Sequence, residues 1–184
     1  MSAPPQIEIV LKALRKIVAA LQGVGHPPVV IGDLAHQAWG VKRDPRGVEL
    51  LIPSGEAQRA TILSAARGEG LQQEPGPGPL SLKYLDARLG GNSSVELVEA
   101  STPFQKRVIG RAQPGPVLQM HLPVATVEDL ILFRVATDLP ADRQIVIELL
   151  KANAARIDAG YLKGEAEGAG TFERLKGAWQ EAKK

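Results

Sequence analysis

The chain has 184 residues, 44% hydrophobic and 23% charged, and its 22 basic and 20 acidic residues leave a net charge of +2. That length and composition suit one domain with a core, or a domain with a helical appendage, and exclude a disordered chain; so small a charge does not indicate a nucleic-acid partner. The absence of cysteine excludes disulfides, thiolate chemistry and cysteine-based zinc sites, and the three separated histidines, His26, His36 and His121, argue against a histidine-rich metal centre.

From Gln6 to Gln22 the apolar residues Ile7, Val10, Leu11, Leu14, Ile17, Val18 and Leu21 recur at steps of three and four, which predicts a helix with one buried face. Glu8, Lys12, Arg15 and Lys16 interrupt the apolar run, so it is neither a signal peptide nor a membrane span, and a cytoplasmic location is expected. The many Gly and Pro residues and few aromatics point to a bacterial, GC-rich source. Gly23, Gly25 and Pro27-Pro28 stop the helix. Val29-Val30-Ile31 reads as a buried strand, Asp33 to Trp39 as a short helix ending at Gly40, and Val48 to Ile52 as a second strand closed by Pro53. Glu56 to Ala66 predicts a helix with Ile62 and Leu63 inward. Glu74 to Pro79 is a Pro/Gly loop. Leu80 to Leu85 alternates with the period of a strand, Leu89 to Ser94 reads as a turn, and Val95 to Val98 as the strand that completes a hairpin.

A short helix is expected over Phe104 to Ala112, then extended chain over Val117 to Pro123. Thr126, with Asp129 three residues on, predicts a capped helix start. Further helices are expected over Ala141 to Asn153, Asp158 to Lys163 and Thr171 to Lys183. The chain thus divides into an α/β part, residues 1–125, and a helical part packed on it, residues 126–184. In the last helix Phe172, Leu175 and Trp179 share a face, which packs on the core or docks a partner protein.

The stretch from Val29 to Pro53 carries the densest signal: strand, Gly turn, short helix, a basic loop with Lys42, Arg43 and Arg46, then a strand bearing Glu49. With Ile31-Gly32-Asp33-Leu34-Ala35 at the turn, Gly40 and Arg43 in the loop, Gly47-Val48-Glu49 on the second strand and Val95-Glu96-Leu97 on a later one, the chain resembles the minimal nucleotidyltransferase superfamily, in particular stand-alone bacterial proteins of the AbiEii-type toxin group. The later segments Val124 to Ile131, Pro140-Ala141-Asp142-Arg143, and Ile157-Asp158 with Tyr161-Leu162 extend the resemblance over Gln6 to Leu162. It implies an α/β (α+β) fold, a nucleotidyltransferase-like mixed sheet flanked by helices and followed by a C-terminal helical part.

The resemblance also implies a chemistry: transfer of a nucleoside monophosphate from an NTP to an RNA or protein acceptor. Such transfer uses two magnesium ions, which take hard oxygen ligands. An Asp-x-Asp pair on a strand presents both carboxylates on one face, and a third comes from a neighbouring strand. Here Gly47 stands at the first of these positions and supplies no ligand. Glu49 and Glu96 stand at the second and third, each one methylene longer than Asp. On this basis Glu49, Glu96 and Arg134 are the candidate catalytic residues, with Glu49 and Glu96 also the Mg2+ ligands and Asp33 or Asp44 a substitute third ligand. Arg134 takes the place of the family's helical Lys. Gly32, Asp33, Arg43 and Asp142 are the candidate nucleotide-binding residues.

Each has a plainer reading. Asp33 suits a helix N-cap, whose carboxylate would then lie where a triphosphate should rest. Glu49 and Glu96 could simply face solvent, Arg43 could belong to a solvated loop, and Asp142 with Arg143 could pair with helix neighbours. His36 and Trp39 suit packing. Pro45 stands at the family's Thr and removes a hydroxyl and an N–H. Three functions follow as expectations: a catalytically degenerate nucleotidyltransferase-fold protein kept for nucleotide or protein-partner binding, an active Mg2+-dependent enzyme, or an interaction subunit of a toxin–antitoxin-like assembly.

Overall fold

The computed structural model describes residues 5–137 and 139–184. Helix α1 (Pro5–Gly23) buries Val10, Leu14, Ile17, Val18 and Leu21, the expected stripe. Strand β1 (Val29–Ile31) follows, wholly buried, then α2 (Gly32–Ala38), β2 (Gly47–Pro53) and α3 (Glu56–Gly68). Strands β3 (Leu71–Gln73), β4 (Leu80–Asp86) and β5 (Gly91–Ala100) lead to α4 (Pro103–Arg111). Strands β6 (Gln113–Val117) and β7 (Met120–Val124) complete a seven-stranded mixed sheet of order β3-β4-β5-β2-β1-β7-β6. Four helices close the chain: α5 (Val127–Val135), α6 (Pro140–Asn153), α7 (Ala159–Gly168) and α8 (Phe172–Ala182).

At the centre β2 runs parallel to β5 and antiparallel to β1, and β1 runs parallel to β7. Alternation decides the faces. Val48, Leu50 and Ile52 of β2, Val95 and Leu97 of β5, and Leu80 and Leu82 of β4 are all buried. On the β4–β5 hairpin α1 lies against this face, where Lys12 reaches Asp86 at 2.8 Å. Gly47, Glu49, Ser94 and Glu96 alternate to the other face.

Two expectations need correction, and one strand carried no expectation. The turn read over Leu89 to Ser94 is shorter. Asp86 Oδ1 accepts the Arg88 and Leu89 N–H groups at 3.0 and 2.9 Å, and Gly90 turns the chain at φ 68°. Asn92, Ser93 and Ser94, polar enough to read as turn, pair with β4 instead. Val117 to Pro123 is not one extended piece: β6 and β7 form a hairpin whose loop begins at Leu118 with φ 53°, the positive φ of a primed turn filled by leucine rather than glycine. β3, short and mostly polar, gave no periodic signal, yet pairs with β4. The cap at α5 matches expectation: Thr126 Oγ1 accepts the Asp129 N–H at 3.3 Å and donates to its carboxylate at 2.9 Å.

Candidate active site

The sheet register assembles the site. Ile31 lies opposite Glu49, and Glu49 opposite Glu96, so the end of β1, the middle of β2 and the middle of β5 bring the α2 turn and both glutamates into one row. The chain leaves β1 through Gly32 at φ 66°. A Cβ built on Gly32 would stand 2.4 Å from Glu49 Cδ and Oε1 and 2.7 Å from Oε2. The Glu49 carboxylate is therefore folded down onto the α2 turn, and only glycine satisfies both the backbone angle and the space.

Burial pushes the Glu49 carboxyl above the usual range; the charge of Arg134 works the other way, while Glu96 and Asp33 add to the rise. Asp33 behaves oppositely. Its hydrogen bond with His36 Nδ1, at 3.4 Å, holds its carboxyl below the usual range, and the charges of His36, Arg134 and Arg43 add to that effect against burial. Asp33 is not the N-cap. That position is Ile31, with no side-chain cap, and Asp33 lies inside the first turn, where its carboxylate is taken up by His36.

Glu49, Glu96, Asp33 and Gly32 are thus brought together, with Arg134 close enough to bias two of them. The other candidates are tied elsewhere. Arg134 Nη1 donates to Asp142 Oδ1 at 3.0 Å, and Asp142, itself buried, also accepts the Thr137 hydroxyl at 2.5 Å, so this group joins α5 to α6. Arg43 Nη2 donates to Glu148 of α6 at 2.8 Å, and its Nε is buried without a hydrogen-bond acceptor. Asp44 stays exposed on the loop. His36 is buried, and the Trp39 indole N–H donates to the Ala125 carbonyl at 2.8 Å, in keeping with packing roles.

Ser94 is the residue that sequence reasoning missed, because it sat in a segment read as turn. It lies directly opposite Gly47, and a Cβ on Gly47 would stand 2.2 Å from Ser94 Oγ and 3.0 Å from its carbonyl oxygen. The signal was available: counting back two residues from Glu96 on the same strand reaches Ser94. A second group lies beyond the cleft. Asp129, fully buried, accepts the Tyr161 hydroxyl at 2.7 Å, and the Arg111 guanidinium stacks 3.7 Å from the Tyr161 ring centroid. Glu128 accepts the Asp158 N–H at 2.9 Å, and Asp158 caps α7.

A pair of magnesium ions does not fit these residues. Among the described residues no three His, Cys, Asp or Glu side chains group so as to hold a metal ion. Ser94 overhangs the ligand-free position at Gly47, and the Glu49 carboxylate is turned onto Gly32.

With its mixed seven-stranded sheet of this order and its C-terminal helices, the chain has a nucleotidyltransferase-like fold, and solved structures superpose on it over nearly its full length. The antibiotic-resistance factor ANT(2'')-Ia, solved in complex with adenylyl-2''-tobramycin, superposes with a TM-score of 0.56 at 14% identity over 97% of this chain and 99% of that one. An antigenic nucleotidyltransferase-like protein from Paracoccidioides brasiliensis gives 0.57 at 11% identity over 96% and 92%. JHP933 from Helicobacter pylori gives 0.52 at 13% identity over 98% and 93%. No family model and no curated protein matches the sequence. Among the described residues no helix is long and apolar enough to cross a membrane.

Proposed function

We propose that this protein is a nucleotidyltransferase-fold protein that has lost nucleotidyl transfer and is retained for binding a nucleotide or a protein partner. The observation that carries this reading is the pairing of Gly47 with Ser94: the strand position where the first metal-binding carboxylate would stand has no side chain, and a neighbour's hydroxyl leans over it. Glu49 supports it, because a carboxylate turned onto the α2 turn is poorly placed to grip a cation. The finer placement, with the AbiEii-type group and a toxin–antitoxin-like assembly, rests on the short sequence motifs alone.

The direct test is incubation with labelled NTPs, magnesium or manganese, and RNA and protein acceptors. The expected result is no transfer above a no-protein control. Reproducible labelling that disappears in Glu49→Ala overturns the proposal and establishes the second reading, an active enzyme with a remodelled site. One observation favours that second reading: Glu49 and Glu96 are register partners on the same face, with the positive charge of Arg134 acting on Glu49. It requires Glu49 to swing off Gly32, which a structure with magnesium and a non-hydrolysable NTP would reveal.

A further inference from the structure

The apolar face of the C-terminal helix is only partly covered. Leu175 and Ala178 are buried, and α8 packs through them on α6 and α7. Phe172 and Trp179 are only half-buried; with Leu175 they line a groove of about 280 Å³ between α7 and α8. Phe172 and Trp179 are seven residues apart, two helical turns, so they form a row along the groove. Lys176 and Lys183, also seven apart, form a second row on the same helix, and Lys163 of α7 also lines the groove. Among the described residues no carboxylate lines it. Lys163 and Lys176 have exposed partners within their own helices, Glu167 at 3.7 Å and Glu173 at 3.5 Å, Lys163 also lies 5.9 Å over the Phe172 ring, and Lys183 makes no ion pair among the described residues. Such solvated pairs are weak and are readily exchanged for a better partner.

We propose that this groove docks an acidic amphipathic helix of a partner protein. The apolar row would receive residues at i, i+3, i+4 and i+7, and the lysines would face glutamates or aspartates beside them. A flat anionic membrane is a poorer match, because the aromatic rings line a depression rather than project from it. This site is distinct from the β2–β5 cleft, so its failure and that of the proposed function are separable: changes at Glu49 leave it intact.

The test uses the full chain and a fluorescein-labelled peptide about four helical turns long, with Leu and Phe at those spacings flanked by Glu. Its controls are the same peptide with Lys for each Glu, and a thymidine oligonucleotide. Saturable binding of the acidic peptide is expected, weaker at high salt, and weakened on the order of tenfold in the Lys176→Glu/Lys183→Glu double variant. That variant changes exposed residues only, and an unaltered circular-dichroism melt verifies that it folds; it should gain affinity for the basic peptide. Absence of saturation, indifference to the charge reversal, or equal or tighter binding of the oligonucleotide at the same residues overturns the proposal.

Discussion

At the scale of single residues, Glu49 is where geometry and electrostatics meet. Its carboxylate is pressed against Gly32, partly desolvated, and repelled by Glu96 and Asp33, so its folded-state carboxyl sits above the ordinary value of 4.5. A raised acid contributes stability that is fully present below its unfolded value and is lost as pH rises through the folded one. Replacing it with glutamine removes the ionisation and keeps most of the shape. Glu49→Gln should therefore melt above the wild type at neutral pH, with the advantage vanishing once the pH falls below 4.5; thermal melts across that range check it, and an advantage that persists at low pH would show that charge is not the cause. Asp86 has the opposite sign. The ammonium of Lys12 and the Leu89 N–H hold its carboxyl at about 2, so its contribution persists well into the acid range. Glu49 and Glu96 were singled out through the resemblance of the Gly47-Val48-Glu49 and Val95-Glu96-Leu97 segments, and the sheet makes them register partners. Where the Glu49 carboxylate points was not legible in the sequence, since it depends on Gly32, which arrives from another strand.

At the scale of elements, most of the order along the chain could be read from periodicity, and failures came where polarity and structure part company. The segment Asn92-Ser93-Ser94 looks like a turn but is strand, because β4 supplies its partners and Ser93 is buried. The β6–β7 hairpin was hidden by Leu118 occupying a conformation normally signalled by glycine. Also invisible was the junction of α4, α5 and α7, which depends on side chains brought from Arg111, Asp129 and Tyr161. Asp129 is fully buried and holds its second oxygen to Tyr161, while burial and that same carboxylate push the Tyr161 phenol well above its usual value. Tyr161→Phe keeps the ring that stacks under Arg111 but leaves a carboxylate oxygen without its donor. The cost should be about 1–3 kcal/mol, read by chemical denaturation. Exposing the hydroxyl's loss as neutral would mean that water or Arg111 takes over the vacant acceptor.

At the scale of the whole molecule, an open sheet must protect two edges. One edge, β3, spans only Leu71–Gln73 and runs on toward the Pro/Gly loop from Glu74 to Pro79. The other, β6, carries Pro114 and Pro116, register partners of Pro123 and His121 on β7. Proline has no N–H, so at these alternate positions the outward edge of β6 lacks the donors that a second strand would need. The mixed order of the sheet follows from the same economy of connections: β1 and β7, and β2 and β5, can run parallel because helices lie between them in the chain. Restoring the donors should expose the edge without disturbing the core, since Pro114 and Pro116 are exposed. The Pro114→Thr/Pro116→Thr variant is expected to fold, keep its circular-dichroism spectrum, and self-associate with rising concentration in light scattering, whereas the parent does so less at every concentration. If the variant scatters no more than the parent, covering by α2, which lies against β6, rather than the two prolines is what guards that edge.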